Sequence, residues 1–340
     1  MHNIFIIYTG GTIGMVQDSE TGTFIPFDFE LIEKNLPDLS RLNYKLTVHS
    51  FDPIIDSSNM RPSIWLEMAK IIRDNYELYD GFVILHGSDT MAFSASMLSF
   101  LLEGLQKPII FSGSQLPIGE IRTDARENLM TALEIASAKR DGISIIQEVC
   151  ILFDNKLFRG NRSFKYNSDK FEAFRSPNFP VLAEAGIHIR YNDEVLVNNA
   201  GQEFICHYHI DNRVGVLKLF PGISKDTIEA VLNSNVRSIV METFGSGNTM
   251  TDSWFLELLE NAIKSGKNIL DISQCKVGSV ELGRYETSQG LKSIGVLNGY
   301  DMTFETAVTK LMYLQGELES QEEVAHWVQQ SLRGELTKND

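Results

Sequence analysis

The sequence predicts an α/β protein of two domains. A length of 340 residues is sufficient for two domains that each bury a core of their own. Short apolar runs alternate along the chain with longer stretches of helical periodicity, a pattern typical of β-α units and a parallel sheet. A polar, interrupted stretch separates two such series. We therefore predict an N-terminal domain over 1–190, a linker or hairpin over 191–212 and a C-terminal domain over 213–340.

The first series contains five short apolar runs that we interpret as strands. These runs are NIFIIY (3–8), YKLTVHSF (44–51), DGFVIL (80–85), KPIIFS (107–112) and EVCILF (148–153). One amphipathic helix is indicated by the helical spacing of Trp65, Met68, Ala69, Ile72 and Tyr76. The stretch TMAFSASMLSFLLEGL (90–105) is apolar nearly all round and predicts a buried helix. We expect this domain to hold the larger sheet, flavodoxin-like and mostly parallel.

The second series predicts a smaller α/β domain. Its strand-like runs are VGVLKLF (214–220), VRSIVMETF (236–244) and KNILDISQC (267–275), and each is followed by a stretch that suits a helix. The tail EEVAHWVQQSLRG (322–334) has the spacing of a closing amphipathic helix.

Composition narrows the class of partner. A formal net charge of −15 argues against nucleic acid and anionic membranes, which bind basic surfaces, and leaves a small molecule as the expected partner. The three cysteines, Cys150, Cys206 and Cys275, lack the spacing of a disulfide framework or a zinc site. We interpret His207 and His209 as a strand edge and expect no metal. No apolar run approaches the length of a membrane span, and no signal segment is apparent, so we expect a cytoplasmic protein.

The stretch YTGGTIGM (8–15) directly follows the first strand. Its glycines at 10, 11 and 14 fit neither of the phosphate-loop spacings. Consecutive glycines after a strand indicate a backbone that bends sharply or approaches another group closely. Thr12 is then a hydroxyl presented on a tight loop.

Two further stretches carry side chains suited to chemistry. In HGSDTM (86–91), Ser88 and Asp89 can bind an amino acid through its carboxylate and ammonium, or can begin the following helix as N-caps. In RGNRSFKYNSD (159–169), Lys165 is either a base for a hydroxyl nucleophile or a solvated surface lysine. His86 lies beside the first stretch, but no G-x-S-x-G signature supports a serine-histidine pair.

Small polar residues cluster where the predicted strands end. In open α/β sheets, ligands bind at the carboxyl ends of the strands, so these loops could line one pocket. Each residue alone also suits a turn or a helix N-cap. The residues are Thr12, Ser57, Ser58, Ser88, Asp89 and Ser114.

The three stretches YTGGTIGM, HGSDTM and RGNRSFK, in this order, closely resemble the bacterial asparaginase/glutaminase family, in particular its cytoplasmic type I L-asparaginases. The similarity extends over essentially the whole chain through DSSNM, SPN, EAGIHIR, PGIS and the terminal SLRGELTKND. It implies a hydrolase that converts L-asparagine to L-aspartate and ammonia, without metal or organic cofactor. It also implies a homo-oligomer, a dimer of dimers.

The resemblance assigns roles to individual residues. Thr12 corresponds to the nucleophile that forms an acyl-enzyme, and Ser88, Asp89 and Lys165 correspond to a second catalytic cluster. The corresponding substrate-binding residues are Asp56, Ser57, Ser58, Gly87, Ser88, Asp89 and Ser114. Asp89 would meet the substrate ammonium, and the backbone around Ser114 would help to fix the amide.

The chain departs from the family pattern at three positions. Ser88 stands where the family usually has threonine, and the missing methyl loosens the hydroxyl. Phe24 stands where type I members commonly have tyrosine, and Glu242 stands where an effector-binding arginine is expected. We therefore expect hyperbolic asparagine kinetics. The alternatives are a glutaminase-type amidase of the same fold and an amino-acid-binding protein without catalysis.

Overall fold

The structure is a computed structural model that describes residues 2–17, 24–26, 44–284 and 286–338. The chain divides into two units, Met1–His207 and Tyr208–Asp340, which we call unit 1 and unit 2.

Unit 1 is a mixed α/β unit. Its described strands are β1 (His2–Tyr8), β2 (Met15–Gln17), β3 (Phe24–Pro26), β4 (Tyr44–Ser50), β5 (Gly81–Leu85), β6 (Leu102–Glu103), β7 (Ile109–Ser112), β8 (Lys139–Arg140), β9 (Ile143–Ser144), β10 (Val149–Phe153), β11 (Lys156–Arg159), β12 (Phe164–Lys165), β13 (Phe174–Arg175), β14 (Ala183–Ala185), β15 (Ile189–Tyr191) and β16 (Ile205–Cys206). Its described helices are α1 (Pro62–Asn75), α2 (Met91–Leu101) and α3 (Ala125–Ser137).

The main sheet of unit 1 has the strand order β15-β14-β11-β10-β7-β5-β1-β4. Strands β4, β1, β5, β7 and β10 are parallel, and in chain order they are arranged 2-1-3-4-5, which is the flavodoxin-like order. The predicted fold class is confirmed. The sequence did not predict the three antiparallel strands β11, β14 and β15, which extend the sheet at one edge.

Strand β1 lies in the middle of the parallel part and is buried on both faces. Its side chains from Ile4 to Tyr8 are at most 5% exposed. Ile4, Ile6 and Tyr8 pack in a cluster with Leu129 and Leu133 of α3. An unbroken apolar run is what a parallel strand covered by helices on both sides requires.

The predicted amphipathic helix is confirmed as α1, which buries Trp65, Met68, Ala69 and Ile72. The predicted buried helix over 90–105 was too long, because α2 covers only Met91–Leu101. The chain leaves the helix to form β6, which pairs with β16. It then turns at Gly104, whose φ of +66° is poorly tolerated by other residues.

Unit 2 contains a smaller parallel sheet with its own helices. Its described strands are β17 (Val214–Lys218), β18 (Ser238–Thr243), β19 (Asn268–Ser273) and β20 (Leu297–Asn298). Its described helices are α4 (Lys225–Leu232), α5 (Ser253–Lys264), α6 (Glu286–Ser293), α7 (Phe304–Glu317) and α8 (Gln321–Val328). The strands lie in chain order and are all parallel. The core includes Ile239, Met241 and Ile269 of the sheet with Phe255 and Leu259 of α5.

The closing helix α8 begins in a capping box at Ser320 and ends before the predicted position. The chain beyond it turns so that the fully buried Glu335 carboxylate meets the fully buried Lys310 ammonium at 2.5 Å. Glu335 also accepts the backbone N–H groups of Leu332 and Arg333. Lys310 also donates to the carbonyl of Val328, the last residue of α8, at 2.8 Å. No helix in the described parts of the chain has the length and hydropathy that a bilayer span requires.

Candidate active site

The candidate site lies where the strand order of unit 1 reverses. Strand β1 pairs with β4 on one side and with β5 on the other, and Tyr8 at its end faces Ser50 and Leu85. The loops that follow these three strands therefore open at the same edge of the sheet. Ligands of doubly wound α/β folds bind at this switch point.

Glycines allow these loops to pack backbone against backbone. Gly10 and Gly11 have φ angles of +135° and +94°, and a Cβ on Gly10 would overlap the carbonyl oxygen of Ile55. A Cβ on Gly11 would lie 2.6 Å from the Cα of Gly87, and one on Gly87 would lie 2.5 Å from Ser57 Oγ. The close approach indicated by the sequence is thus an approach to two neighbouring loops.

Thr12 begins a short 3-10 turn, Thr12–Gly14, directly after these glycines. The Gly14 N–H donates to the Gly11 carbonyl at 3.2 Å and closes the turn. Thr12 is half-buried, whereas the next residue, Ile13, is fully buried and anchors the turn in the core. The arrangement holds Thr12 on a fixed turn at the edge of the sheet.

Lys165 joins the site from β12, 77 residues away from Ser88 in the sequence. Its Nζ donates to Ser88 Oγ at 2.8 Å and to Asp89 Oδ1 at 2.6 Å. The Lys165 side chain is 18% exposed and that of Asp89 is 65% exposed. The structure thus brings together the three residues of the second predicted cluster, and Asp89 keeps access to a ligand.

Ser88 and Asp89 do not act as helix caps. The N-cap position of α2 is Thr90, and no side chain caps that helix. Thr90 Oγ1 instead donates to the Ser57 carbonyl at 2.7 Å and ties the two loops together. The hydroxyl and the carboxylate are therefore available for other partners than the helix.

The loop after β4 presents the residues from Asp56 to Ser58. The Asp56 carboxylate accepts the Ser58 N–H at 2.8 Å and caps a 3-10 turn, Ser57–Asn59. Ser57 is buried, whereas Asp56 and Ser58 are exposed. Asp56 therefore has the turn-forming role that its residue type favours, and it orients the serines beside Gly87.

The loop of Ser114 is held by two residues that sequence reasoning missed. The Asp124 carboxylate accepts the N–H groups of Gln115 and Leu116, at 3.0 and 3.1 Å, and Asn128 Nδ2 donates to the Gly113 carbonyl at 2.9 Å. The Ser114 hydroxyl donates to the Leu116 carbonyl at 2.6 Å and is therefore engaged within its own loop. Asp124 and Asn128 are four residues apart where α3 begins, and this spacing, which places two side chains side by side on a helix, could have indicated the pair from the sequence.

His86 is buried and neutral. Burial lowers its pKa to about 4. Its Nδ1 lies 2.7 Å from the Gly87 carbonyl, which can only accept, so this nitrogen carries the proton. Its Nε2 then accepts from Ser94 Oγ at 2.9 Å, and Trp65 Nε1 donates to the same hydroxyl at 2.8 Å. Both ring nitrogens are occupied, which makes His86 a structural residue.

In the stretch that contains Lys165, the buried Arg159 side chain donates its Nε to Glu148 Oε2 at 2.6 Å. The departure from the family pattern at Phe24 concerns its side chain, which the structure does not describe. The structure gives only the backbone of Phe24, in β3.

Comparisons with known proteins identify the family of the chain. The family model for the asparaginase N-terminal domain matches residues 3–196, and that for the glutaminase/asparaginase C-terminal domain matches residues 213–328. The chain belongs to the asparaginase family. L-asparaginase 1 of Escherichia coli K12 is 42% identical over 341 residues, which cover 99% of both chains. The family resemblance seen in the sequence is confirmed, and the chain is an asparaginase-family hydrolase.

Two further relatives of this asparaginase-family chain are informative. The crystal structure of L-asparaginase I from Vibrio cholerae has a TM-score of 0.89 and 41% identity, with 99% of both chains covered. The 60 kDa lysophospholipase of Homo sapiens is 40% identical over 362 residues, which cover 98% of this chain but 61% of that protein. Members of the family thus include longer proteins that carry other names.

Proposed function

We propose that this protein hydrolyses the side-chain amide of L-asparagine to L-aspartate and ammonia, with Thr12 as the nucleophile. The observation that supports the proposal is the close approach of Gly11, the residue before Thr12, to Gly87, the residue before Ser88, which in turn is bonded to Lys165. The names of the L-asparaginase relatives, similar over the whole chain, support the choice of substrate.

The reaction needs a hydroxyl nucleophile, a proton acceptor and donors for the oxyanion. Thr12 Oγ1 attacks the amide carbon and loses its proton, and the carbonyl oxygen becomes an oxyanion. Backbone N–H groups of the glycine loop are suited to bind that oxyanion. Collapse of the intermediate breaks the C–N bond, and the leaving nitrogen takes up a proton and departs as ammonia. An ester on Thr12 remains.

Water then attacks the ester, releases L-aspartate and restores the Thr12 hydroxyl. In its neutral form, the Lys165 amine can accept the Thr12 proton through the Ser88 hydroxyl, 2.8 Å away, and the resulting ammonium can return that proton to the leaving nitrogen. We assign this pair the proton-transfer role in both halves of the reaction.

The α-ammonium and α-carboxylate groups of the substrate are recognised through their charges. The exposed Asp89 carboxylate is suited to the substrate ammonium. Ser57, Ser58 and the Gly87 backbone, beside Asp56, are suited to the substrate carboxylate. The backbone around Ser114 is suited to the side-chain amide. Discrimination between asparagine and glutamine depends on one methylene, which a pocket distinguishes by about 1–3 kcal/mol.

The test is ammonia release from L-asparagine, L-glutamine and D-asparagine by the wild type and by Thr12→Ala. We expect rapid release from L-asparagine and a loss of about a thousandfold or more in the variant, because removal of a nucleophile removes the covalent route. Thr12→Ser, which keeps the hydroxyl, is the matched control and should retain activity. Asparagine binding in calorimetry without any ammonia release by the wild type would instead favour the amino-acid-binding protein.

A further inference from the structure

Tyr8, the last residue of β1, contacts the turn that carries Thr12. Its side chain is 1% exposed, and its hydroxyl donates to the Gly14 carbonyl at 3.0 Å. The backbone at Gly14 lies directly against this hydroxyl, since a Cβ there would overlap the Tyr8 Oη and ring. The contact therefore depends on a phenol at position 8 and on the absence of a side chain at position 14.

The other hydrogen bonds of the turn come from backbone N–H groups. The Gly11 carbonyl is held by the N–H of Gly14 within the same turn, and the Thr12 carbonyl accepts from the N–H of Met15, the next residue along the chain. The Ile13 carbonyl accepts from the Ile118 N–H at 3.4 Å, a long hydrogen bond. Among the residues that the structure describes, the Tyr8 hydroxyl is the side chain that donates to the turn backbone from a neighbouring element.

Tyr8 is itself rigidly held. Strand β1 is paired on both sides along its length, and the Tyr8 ring packs in the cluster that contains Leu85, Ile118 and Leu129. A catalytic group is positioned best by an element whose own side chains are locked by packing. The phenol thus connects the buried end of a central strand to the turn that follows it.

We propose that Tyr8 is a positioning residue: its hydroxyl fixes the Thr12–Gly14 turn on the end of β1 and so holds the Thr12 hydroxyl in its attacking orientation. This inference rests on the proposed role of Thr12 as the nucleophile. Within the described residues, the Tyr8 hydroxyl forms no hydrogen bond to a group assigned to substrate binding, so its loss should affect the chemical step and leave substrate affinity unchanged.

The experiment compares Tyr8→Phe with Tyr76→Phe. Tyr76 is a matched control because it is also buried and its hydroxyl also bonds the backbone, through the Gln106 N–H at 2.7 Å. It follows α1 and precedes β5, at the edge of the sheet away from the site. Burial raises the pKa of both phenols to about 12, so both are neutral at working pH.

We expect Tyr8→Phe to lower kcat about tenfold with less than a twofold change in KM, because small errors in the position of a reacting group are costly. Tyr76→Phe should lose comparable thermal stability and keep the wild-type kcat. The profile of kcat against pH should keep its shape in Tyr8→Phe and be displaced by a constant factor, since a positioning residue transfers no proton.

Three outcomes would overturn the inference. These are an unchanged kcat in Tyr8→Phe, an equal fall in kcat in both variants, which would indicate general loosening, and a changed pH profile, which would indicate proton transfer by Tyr8. Failure of the proposed function is recognised separately, because Thr12→Ala would then remain active whatever Tyr8→Phe does.

Discussion

At the scale of single residues, Lys165 is the residue that joins the members of the second cluster. Its ammonium group bridges the hydroxyl of Ser88 and the carboxylate of Asp89, and the side chain is mostly withdrawn from solvent. From the sequence alone, Lys165 could also have been a solvated surface lysine, because it lies far along the chain from Ser88 and Asp89. Only their meeting in space distinguishes a bridging lysine from a surface one.

We predict that Lys165→Met lowers kcat for L-asparagine by about a hundredfold or more, because positioned proton-transfer groups contribute about 10²–10⁴-fold. Lys156→Met is the matched control: this lysine lies on β11, and its Nζ is 3.7 Å from a half-exposed Glu172. It should change kcat less than twofold. Ammonia release at saturating asparagine measures both, and wild-type turnover by Lys165→Met would exclude the proton-transfer role.

At the scale of elements, strand β19 carries a buried acid that its apolar pattern does not require. Asp271 is fully buried in the NILDIS run, and its Oδ1 accepts from Thr243 Oγ1 at 2.7 Å. Its Oδ2 has no hydrogen-bond partner within the part of the chain that the structure describes. Burial raises the pKa of Asp271 to about 7, and the bond from Thr243 opposes that rise.

This acid makes stability depend on pH. Between the ordinary aspartate pKa of about 4 and the folded value of about 7, the folded chain binds one more proton than the unfolded chain. Rising pH in this window therefore lowers the free energy of unfolding, by about 1.4 kcal/mol per pH unit at most. Above the folded pKa both states are ionised, and the contribution becomes constant.

We predict that Asp271→Asn removes this dependence. The free energy of unfolding of the variant, relative to wild type, should rise by about 2 kcal/mol between pH 5 and pH 7 and then level off. Urea unfolding followed by tryptophan fluorescence reports on unit 2 through Trp254 and Trp327. Asp252→Asn, which removes a carboxylate at an exposed position of the same unit, is the control for the substitution itself. A flat difference for Asp271→Asn itself would contradict an ionisable acid on β19.

At the scale of the whole molecule, the expected shape of the substrate response rests on Glu242, the position that the family resemblance singled out. Glu242, at the end of β18, stands where an effector-binding arginine is expected. Its carboxylate is 6% exposed and lies 3.4 Å from the Lys218 ammonium. A buried acid repels the carboxylate of a free amino acid, so this position does not suit an asparagine effector.

We therefore predict hyperbolic kinetics, with a Hill coefficient close to one, for initial velocity against L-asparagine concentration. The ion pair between Glu242 and Lys218 lies within unit 2. Glu242→Gln should therefore keep the same curve shape, and it serves as the control. A clearly sigmoidal curve for the purified wild type would show that an effector site exists in spite of the reversed charge.

The sequence by itself determined the fold class, the positions of the buried parallel strands and the residues that the family resemblance assigns to the site. Apolar runs and glycine spacing are local properties, so they are readable along the chain. The tertiary structure alone decided that the chain leaves α2 to pair β6 with β16, that Asp124 and Asn128 hold the Ser114 loop, and that Tyr8 ties β1 to the Thr12 turn. These are contacts between groups whose partners are fixed only when the elements pack, and the spacing of residues in one sequence does not encode them.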